Sequence, residues 1–434
     1  MSFRDFVNKL EKENKLIKIE KEISTEFEIA NILASLDGKV VFFKNVKNYD
    51  FPVVGNVVST RDLMASALRI KKEQLLRKLS WSINNLKEPE IVGKALCQEV
   101  DMGVNLNYLP ILRHMPKDGG KYIGSAVCII KDPETGIRNT CFHRLMLLDK
   151  NHFVARIVEN RGTDTALKKT EELEIAICIG NSVPVLIAAA TSLPHGTDEL
   201  AMANALEETK LVKCKTIDIE VPVDSEFVLE GIITKERVPE GPFLDLTETY
   251  DRIREQPVIE IKKIMHRRNP IFYALLPGKG EHKNLMGLPR EPTIFNEVNK
   301  VCKCKNVLIT PGGTSWLHAV VQIEKQNEDD GKKAIEAAFK GHSSLKHCVV
   351  VDDDIDIYDP HDVEWAVATR VQADNDILVF TDQKGSSLDP SAIHPPGKKA
   401  ITTKAGIDAT IPFGKTDKSF KKERYGDIDI EKYL

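Results

Sequence analysis

EFVLEGIIT (226–234), VPEGPFLD (238–245) and PVIEIKKIMHRR (257–268) succeed one another with little between them. β-Branched and apolar residues fill the first and third, and Gly and Pro punctuate the second. That is the texture of extended chain folding back on itself. It recurs upstream in YIGSAVCIIKD (122–132), NHFVARIVEN (151–160), PVLIAAAT (184–191) and CKTIDIEVP (214–222), and downstream in PIFYALLP (270–277). Residues 105–300 therefore read as an antiparallel, barrel-like core. Helical patterns at 164–176 and 197–210 interrupt it.

On either side the rhythm is α/β. Phe3, Phe6, Val7 and Leu10 recur at helical spacing in 3–14, and 26–36 gives a second helix with Ser24 or Thr25 at its cap. Strands follow at 39–46 and 50–58, and a helix begins near Ser59 or Thr60. Beyond 300, strands at 304–310, 347–354 and 374–380 alternate with helices at 327–341 and 359–371, the last opening on Asp359-Pro360. The fold class is thus α/β and α+β multidomain: an N-terminal α/β portion (1–104), the central β-rich portion (105–300) and a C-terminal α/β portion (301–434). The charged tail, 415–434, reads as peripheral.

Composition narrows the function without choosing it. At 434 residues, 42% hydrophobic and 29% charged, the chain is too long for one ordinary core and too apolar for disorder. Lys+Arg number 61 against 65 Asp+Glu, a net charge of -4, which gives no electrostatic footprint for nucleic acid. The charged N-terminus is no signal peptide, and the longest apolar run, 183–190, is far short of the roughly 20 residues a membrane span needs. Eight cysteines without paired zinc spacing fit a reducing compartment, so a cytoplasmic protein is expected. Walker, Rossmann, zincin and nucleophile-elbow motifs are all missing.

What remains is polar residues at turn-rich strand ends. In RNTCFHR (138–144), Asn139, His143 and Arg144 stand in apolar surroundings, and a buried Arg needs an anion, whether in a structural ion pair or a site. Glu240 and Asp245 flank a Gly-Pro-Phe turn that can converge them for proton transfer, or else form an exposed acidic loop. Glu199 opens a predicted helix, where it either serves the dipole or ligates a hard cation with Asn139 and phosphate oxygens. PGKGEHKNLMGLPREP (277–292) reads as a polar loop able to cover an anionic cofactor, and Lys404 in TTKAGIDAT (402–410) as part of a loop ordering around a ligand. The acidic run Asp352–Asp354 is either a solvated strand end or a ligand site.

Taken together, FRDFVNKLEKENKLIKIEKE, NVKNYDFPVVGN, VPVDSEFVLEG, EGPFLD, LPGKGEHKNLMGLPRE, VDDDIDIYDPHDVEWAVATRVQ and KAGIDAT resemble the UbiD family of prenylated-FMN-dependent decarboxylases over nearly the full length. The resemblance implies a central split-barrel flavin-binding domain and a C-terminal domain through which homodimers or homohexamers assemble. It implies Arg144, Glu240 and Asp245 as the catalytic trio, with Asp245 favoured for protonating the carbon after CO2 leaves. Thr140, Cys141, Phe142, His143, Arg144, Arg161, Gly162 and Lys404 would contact the cofactor. Asn139 and Glu199 would do so through a divalent metal, Mn2+ or Mg2+, with K+ as a further ion. Where the family has a metal-ligating His, this chain aligns Arg161, which leaves His143 and His152 as alternative imidazoles. The likeness to the archaeal branch implies trans-anhydromevalonate 5-phosphate as substrate and isopentenyl phosphate as product. Aromatic or 4-hydroxybenzoate-type acids are the alternative, and a non-catalytic flavin-binding protein a remote one. A flavin prenyltransferase would supply the cofactor.

Overall fold

The computed structural model describes residues 1–395 and 398–415, and in the tail residues 420, 422–423, 425–426 and 428–433. The remaining positions of the expected peripheral tail lie outside the described residues.

The chain opens with the helix Phe3–Lys12, where Ser2 and Asp5 form a capping box and Phe3, Phe6, Val7 and Leu10 are buried. A four-stranded sheet follows, in the order Leu16–Ile19, Val40–Phe43, Val53–Gly55 and Phe272–Tyr273. Its last strand comes from the central part of the chain, pairing in parallel with Val53–Gly55. One continuous apolar core accordingly runs from Phe3 to Leu288 through the N-terminal and central portions alike.

The centre is a nine-stranded antiparallel sheet that curls into a half-barrel. Its spine is the long hairpin of Phe227–Glu240 and Arg254–His266, which EFVLEGIIT and PVIEIKKIMHRR largely make up. Two irregularities in register, after Glu230 and after Ile233, bend it. Gly231 sits at the first of these: a Cβ there would lie 2.5 Å from the Glu260 carbonyl oxygen. At its tip the hairpin carries the small ribbon Phe243–Leu244 paired with Tyr250–Asp251. This tip places three carboxylates at the mouth of the half-barrel.

The C-terminal sheet has the order Lys303–Ile309, His318–Glu324, His347–Asp352, Ile401–Asp408, Ile377–Lys384. Its inner pairings are parallel and its outer ones antiparallel. Apolar cores cover both faces, one including the helices Arg290–Val298 and Asp330–Gly341 and the other the helix Pro360–Arg370.

Five local expectations are corrected. The helix expected at 164–176 ends at Leu167, because Leu173–Ile179 pairs with Phe227–Glu240 as a strand. PVLIAAAT, expected extended, lies in the helix Val183–Ala190, whose eight residues are all buried. Uniform apolarity there carries no period from which to choose. The expected polar loop 277–292 largely forms the helices Gly280–Gly287 and Arg290–Val298. TTKAGIDAT is not a loop but most of the strand Ile401–Asp408. At the second helix, Phe27 holds the cap position with φ 63° and no side-chain cap bond, in place of Ser24 or Thr25.

Candidate active site

A cavity of about 890 Å3 opens between the half-barrel and the C-terminal sheet. Its walls come from three parts of the chain, represented by Arg144, Glu199 and Asp245 from the centre, Met286 and Arg290 from the helical bridge, and Trp316 from the C-terminal portion. The volume lies in the range of pockets that take a cofactor with a small ligand.

Arg144 follows the strand Arg138–Phe142 and is nearly buried. Its Nε and Nη2 donate to the two oxygens of Glu240, each at 2.9 Å. Nη1 donates to Asp245 Oδ2 at 2.5 Å, and Nη2 also donates to Asp251 Oδ2 at 3.0 Å. The guanidinium lies 4.9 Å from the centre of the Phe243 ring, and Tyr122 donates its hydroxyl to Glu240 at 3.2 Å. Glu240 is fully buried behind Arg144, whereas Asp245 and Asp251 line the cavity. Asp251 is held ionised below the usual carboxylate range by Arg144 and Arg254, against the opposing effect of burial. His282 also faces the cavity, its Nδ1 accepting from the Gly278 N–H at 3.1 Å. Burial holds its pKa down, with Arg144 adding to and Asp245 opposing that effect.

Along the strand from Arg144, Asn139 donates through Nδ2 to Glu199 Oε1 at 3.1 Å, and the Thr140 N–H donates to Glu199 Oε2 at 2.7 Å. Glu199 heads the helix Glu199–Leu206, behind the capping residue Asp198, and burial pushes its pKa up to about 8. An amide oxygen and a dry carboxylate suit a hard divalent cation that completes its shell with phosphate and water. Among the described residues no cluster of three His, Cys, Asp or Glu offers an all-protein metal site. Gly162 presses on this pair; a Cβ there would lie 2.3 Å from Asn139 Oδ1. The buried Thr140 hydroxyl also has no hydrogen-bond partner among the described residues.

The other expected residues separate. Cys141, Phe142, His143 and Arg161 line the cavity. Both His143 nitrogens are engaged, Nδ1 with the Arg156 carbonyl at 3.1 Å and Nε2 with the Thr163 hydroxyl at 3.0 Å, so its ring is not offered to a metal. Burial lowers its pKa to about 4. His152 is bonded to Asp149 instead, away from the cavity wall. Lys404 is not in the wall: its Nζ donates to the Ser343 carbonyl at 2.8 Å and lies over the Phe339 ring. It therefore stands behind Ser343, which does line the cavity. Glu281 is a structural tie, accepting from the Asn56 and Val58 N–H groups at 2.9 Å each. The acidic run ends as ion pairs of Asp352 and Asp354 with the buried Arg370. Asp251, Tyr122 and Arg290 escape a residue-by-residue reading. Only the pairing of Phe243 with Asp251 across the ribbon carries a signal for the first.

Comparison with known proteins covers most of the chain. The models for 3-octaprenyl-4-hydroxybenzoate carboxy-lyase match by their N-terminal domain over 7–83, Rift-related domain over 90–280 and C-terminal domain over 283–409. An anhydromevalonate phosphate decarboxylase of Methanothermobacter thermautotrophicus is 43% identical over 423 residues, 96% of this chain and 98% of that one. The UbiD-class enzyme HmfF from Pelotomaculum thermopropionicum, solved in complex with FMN, superposes with a TM-score of 0.94 at 37% identity, covering both chains fully. An evolved dimeric form of the same enzyme, in complex with prFMN, superposes at 0.91 with 36% identity, again over both full chains.

Proposed function

The chain belongs to the UbiD family of carboxy-lyases, and on that premise we propose that it decarboxylates trans-anhydromevalonate 5-phosphate to isopentenyl phosphate with prenylated FMN. The observation that carries the reading is Arg144 tied to three carboxylates at the edge of a cavity of about 890 Å3. The name of the Methanothermobacter relative supports the substrate. The flavin bound by HmfF supports the cofactor.

Bound prenylated FMN supplies the electron sink for the pair left on carbon when the C–CO2 bond breaks. The chain supplies orientation and the proton. Four of the five guanidinium hydrogens of Arg144 are spent on carboxylates, which leaves one Nη1–H for the substrate carboxylate. Glu240 clamps the guanidinium from behind and fixes its plane. Asp245, facing the cavity and bonded to the same guanidinium, is the acid that delivers a proton to the carbon vacated by CO2. With Asp251 in reach of the same cation, proton affinity belongs to the whole set. Asn139 and Glu199 would hold Mn2+ or Mg2+ against the flavin phosphate, with K+ nearby, and Thr140 and Gly162 shape that end. A flavin prenyltransferase would supply the cofactor. Assembly as a homodimer or homohexamer would use the C-terminal portion, whose outer strand and adjoining loop leave Val379 and Ile393 exposed.

The test is turnover by protein co-expressed with a flavin prenyltransferase. CO2 release from the phosphorylated acid with little from a prenylated hydroxybenzoate is expected. Equal or reversed preference would overturn the substrate assignment.

A further inference from the structure

We propose that Arg290, with Arg161 beside it and Lys399 next to Arg161 on the same cavity wall, forms a phosphomonoester subsite distinct from the flavin phosphate site, and that it receives the phosphate of the substrate. The identity of that phosphate rests on the reading above.

Arg290 opens the helix Arg290–Val298 and reaches into the cavity. Its Nη2 donates to the Ala190 carbonyl at 3.1 Å, and the guanidinium lies 5.1 Å from the centre of the Trp316 ring. Its Nε is buried and, among the described residues, has no hydrogen-bond partner. The adjacent carboxylate cannot help: Glu291 is bound by Arg61 at 2.8 and 2.9 Å and accepts the Ile309 N–H. Other charges near this corner are positive. Arg161 and Lys399 are exposed on the cavity wall, and among the described residues neither has a carboxylate partner. His342 is kept neutral by burial and by the charges of Arg290, Lys404 and Arg161. Burial together with Arg161 lowers the Arg290 pKa to about 9. A desolvated guanidinium among like charges lacks an anion, and a phosphate monoester offers three oxygens to its planar fork.

Donor chemistry distinguishes this anion site from that of the flavin phosphate. The Asn139–Glu199 pair accepts phosphate only through a cation, since it presents oxygens. Arg290 instead lies on a line that leads from the chemistry. His282, Met286 and Arg290 all line the cavity at intervals of four, and Leu288 and Pro289 keep helical angles between the two helices. At helical rise, Arg290 lies about 12 Å from His282, whose ring feels the charges of Asp245 and Arg144. An acid with its carboxylate at Arg144 extends about 7 Å to a phosphorus six bonds away. The long Arg290 side chain covers the remainder.

The experiment compares wild type, Arg290→Gln, Arg290→Lys and Lys399→Gln in two titrations. FMN is titrated into the apo-protein, and isopentenyl phosphate into FMN-loaded protein, where the cofactor phosphate site is already filled. FMN affinity is expected to stay within about twofold throughout, while isopentenyl phosphate affinity falls about thirtyfold or more in Arg290→Gln and severalfold in the other two. Lys399 is exposed, so its loss does not report unfolding. Unchanged isopentenyl phosphate affinity in Arg290→Gln and Lys399→Gln would overturn the subsite. FMN affinity lost with product binding intact would assign the corner to the cofactor and also overturn it. Protein inert toward the phosphorylated acid that still binds isopentenyl phosphate through Arg290 would remove the substrate reading and leave the subsite standing.

Discussion

Two arginines face the same cavity from opposite sides of an electrostatic divide. Arg144 is closed: three carboxylates and an aromatic face surround it, and four of its hydrogens are used. Arg290 is open: among the described residues its guanidinium has one carbonyl and one indole face as partners, and its Nε has no hydrogen-bond partner. A cation that the fold has already neutralised is part of the machinery, because its partners are fixed before anything binds. A cation left with a hydrogen to spare and no carboxylate is a place where the ligand completes the structure.

The contrast breaks most sharply in activity. Asp245→Asn should cost about 10³ in kcat, within the usual range for a lost general acid, with FMN affinity unchanged. Turnover close to wild type would remove Asp245 from the proton-delivering role. Stability separates the arginines next. Arg144→Met strands the buried Glu240 and should cost about 3–5 kcal/mol in urea unfolding of the apo-protein. Arg290→Met removes an uncompensated charge and should be neutral or stabilising. Equal losses would dissolve the distinction. A third effect is thermodynamic linkage: FMN at a hundred times its Kd should stabilise wild type and Arg290→Met alike by about 2.7 kcal/mol. Stabilisation absent from the variant would put the flavin phosphate at Arg290.

The smallest effect concerns the closed side. His114 packs edge-on against Phe243, the ring beneath Arg144, and burial lowers its pKa to about 3. An unfolded His takes up a proton near pH 6.5 that the folded chain refuses. The contribution of His114 is therefore intact above pH 6.5 and is lost as pH falls toward 3, at up to about 1.4 kcal/mol per pH unit. Between pH 7 and 5, His114→Gln should lose about 2 kcal/mol less than wild type in urea unfolding.

The fold class was legible because EFVLEGIIT and PVIEIKKIMHRR are the two arms of the central hairpin, and their composition is local information. PVLIAAAT was not, since a helix buried on all sides has no polar face to mark its period. TTKAGIDAT reads as a loop by its Gly and Thr content, yet neighbours on both sides make it a strand. The closed arginine was half legible. Glu240 and Asp245 announce themselves around one turn, but Arg144 lies 96 residues from Glu240, a distance only resemblance could bridge. Asp251 arrives through ribbon pairing and Arg290 through helix stacking, neither of which is written in a motif. Lys404 lies in a segment of the family pattern, but its side chain turns to the Ser343 carbonyl.

The central claim is that the closed cluster drives decarboxylation with protonation at the carbon left by CO2. Its most direct test is turnover of trans-anhydromevalonate 5-phosphate in D2O by the chain loaded with prenylated FMN. One CO2 should be released per isopentenyl phosphate formed, and the product should carry one deuterium on its terminal methylene carbon. Loaded protein that releases no CO2, or product without deuterium at that carbon, would contradict it.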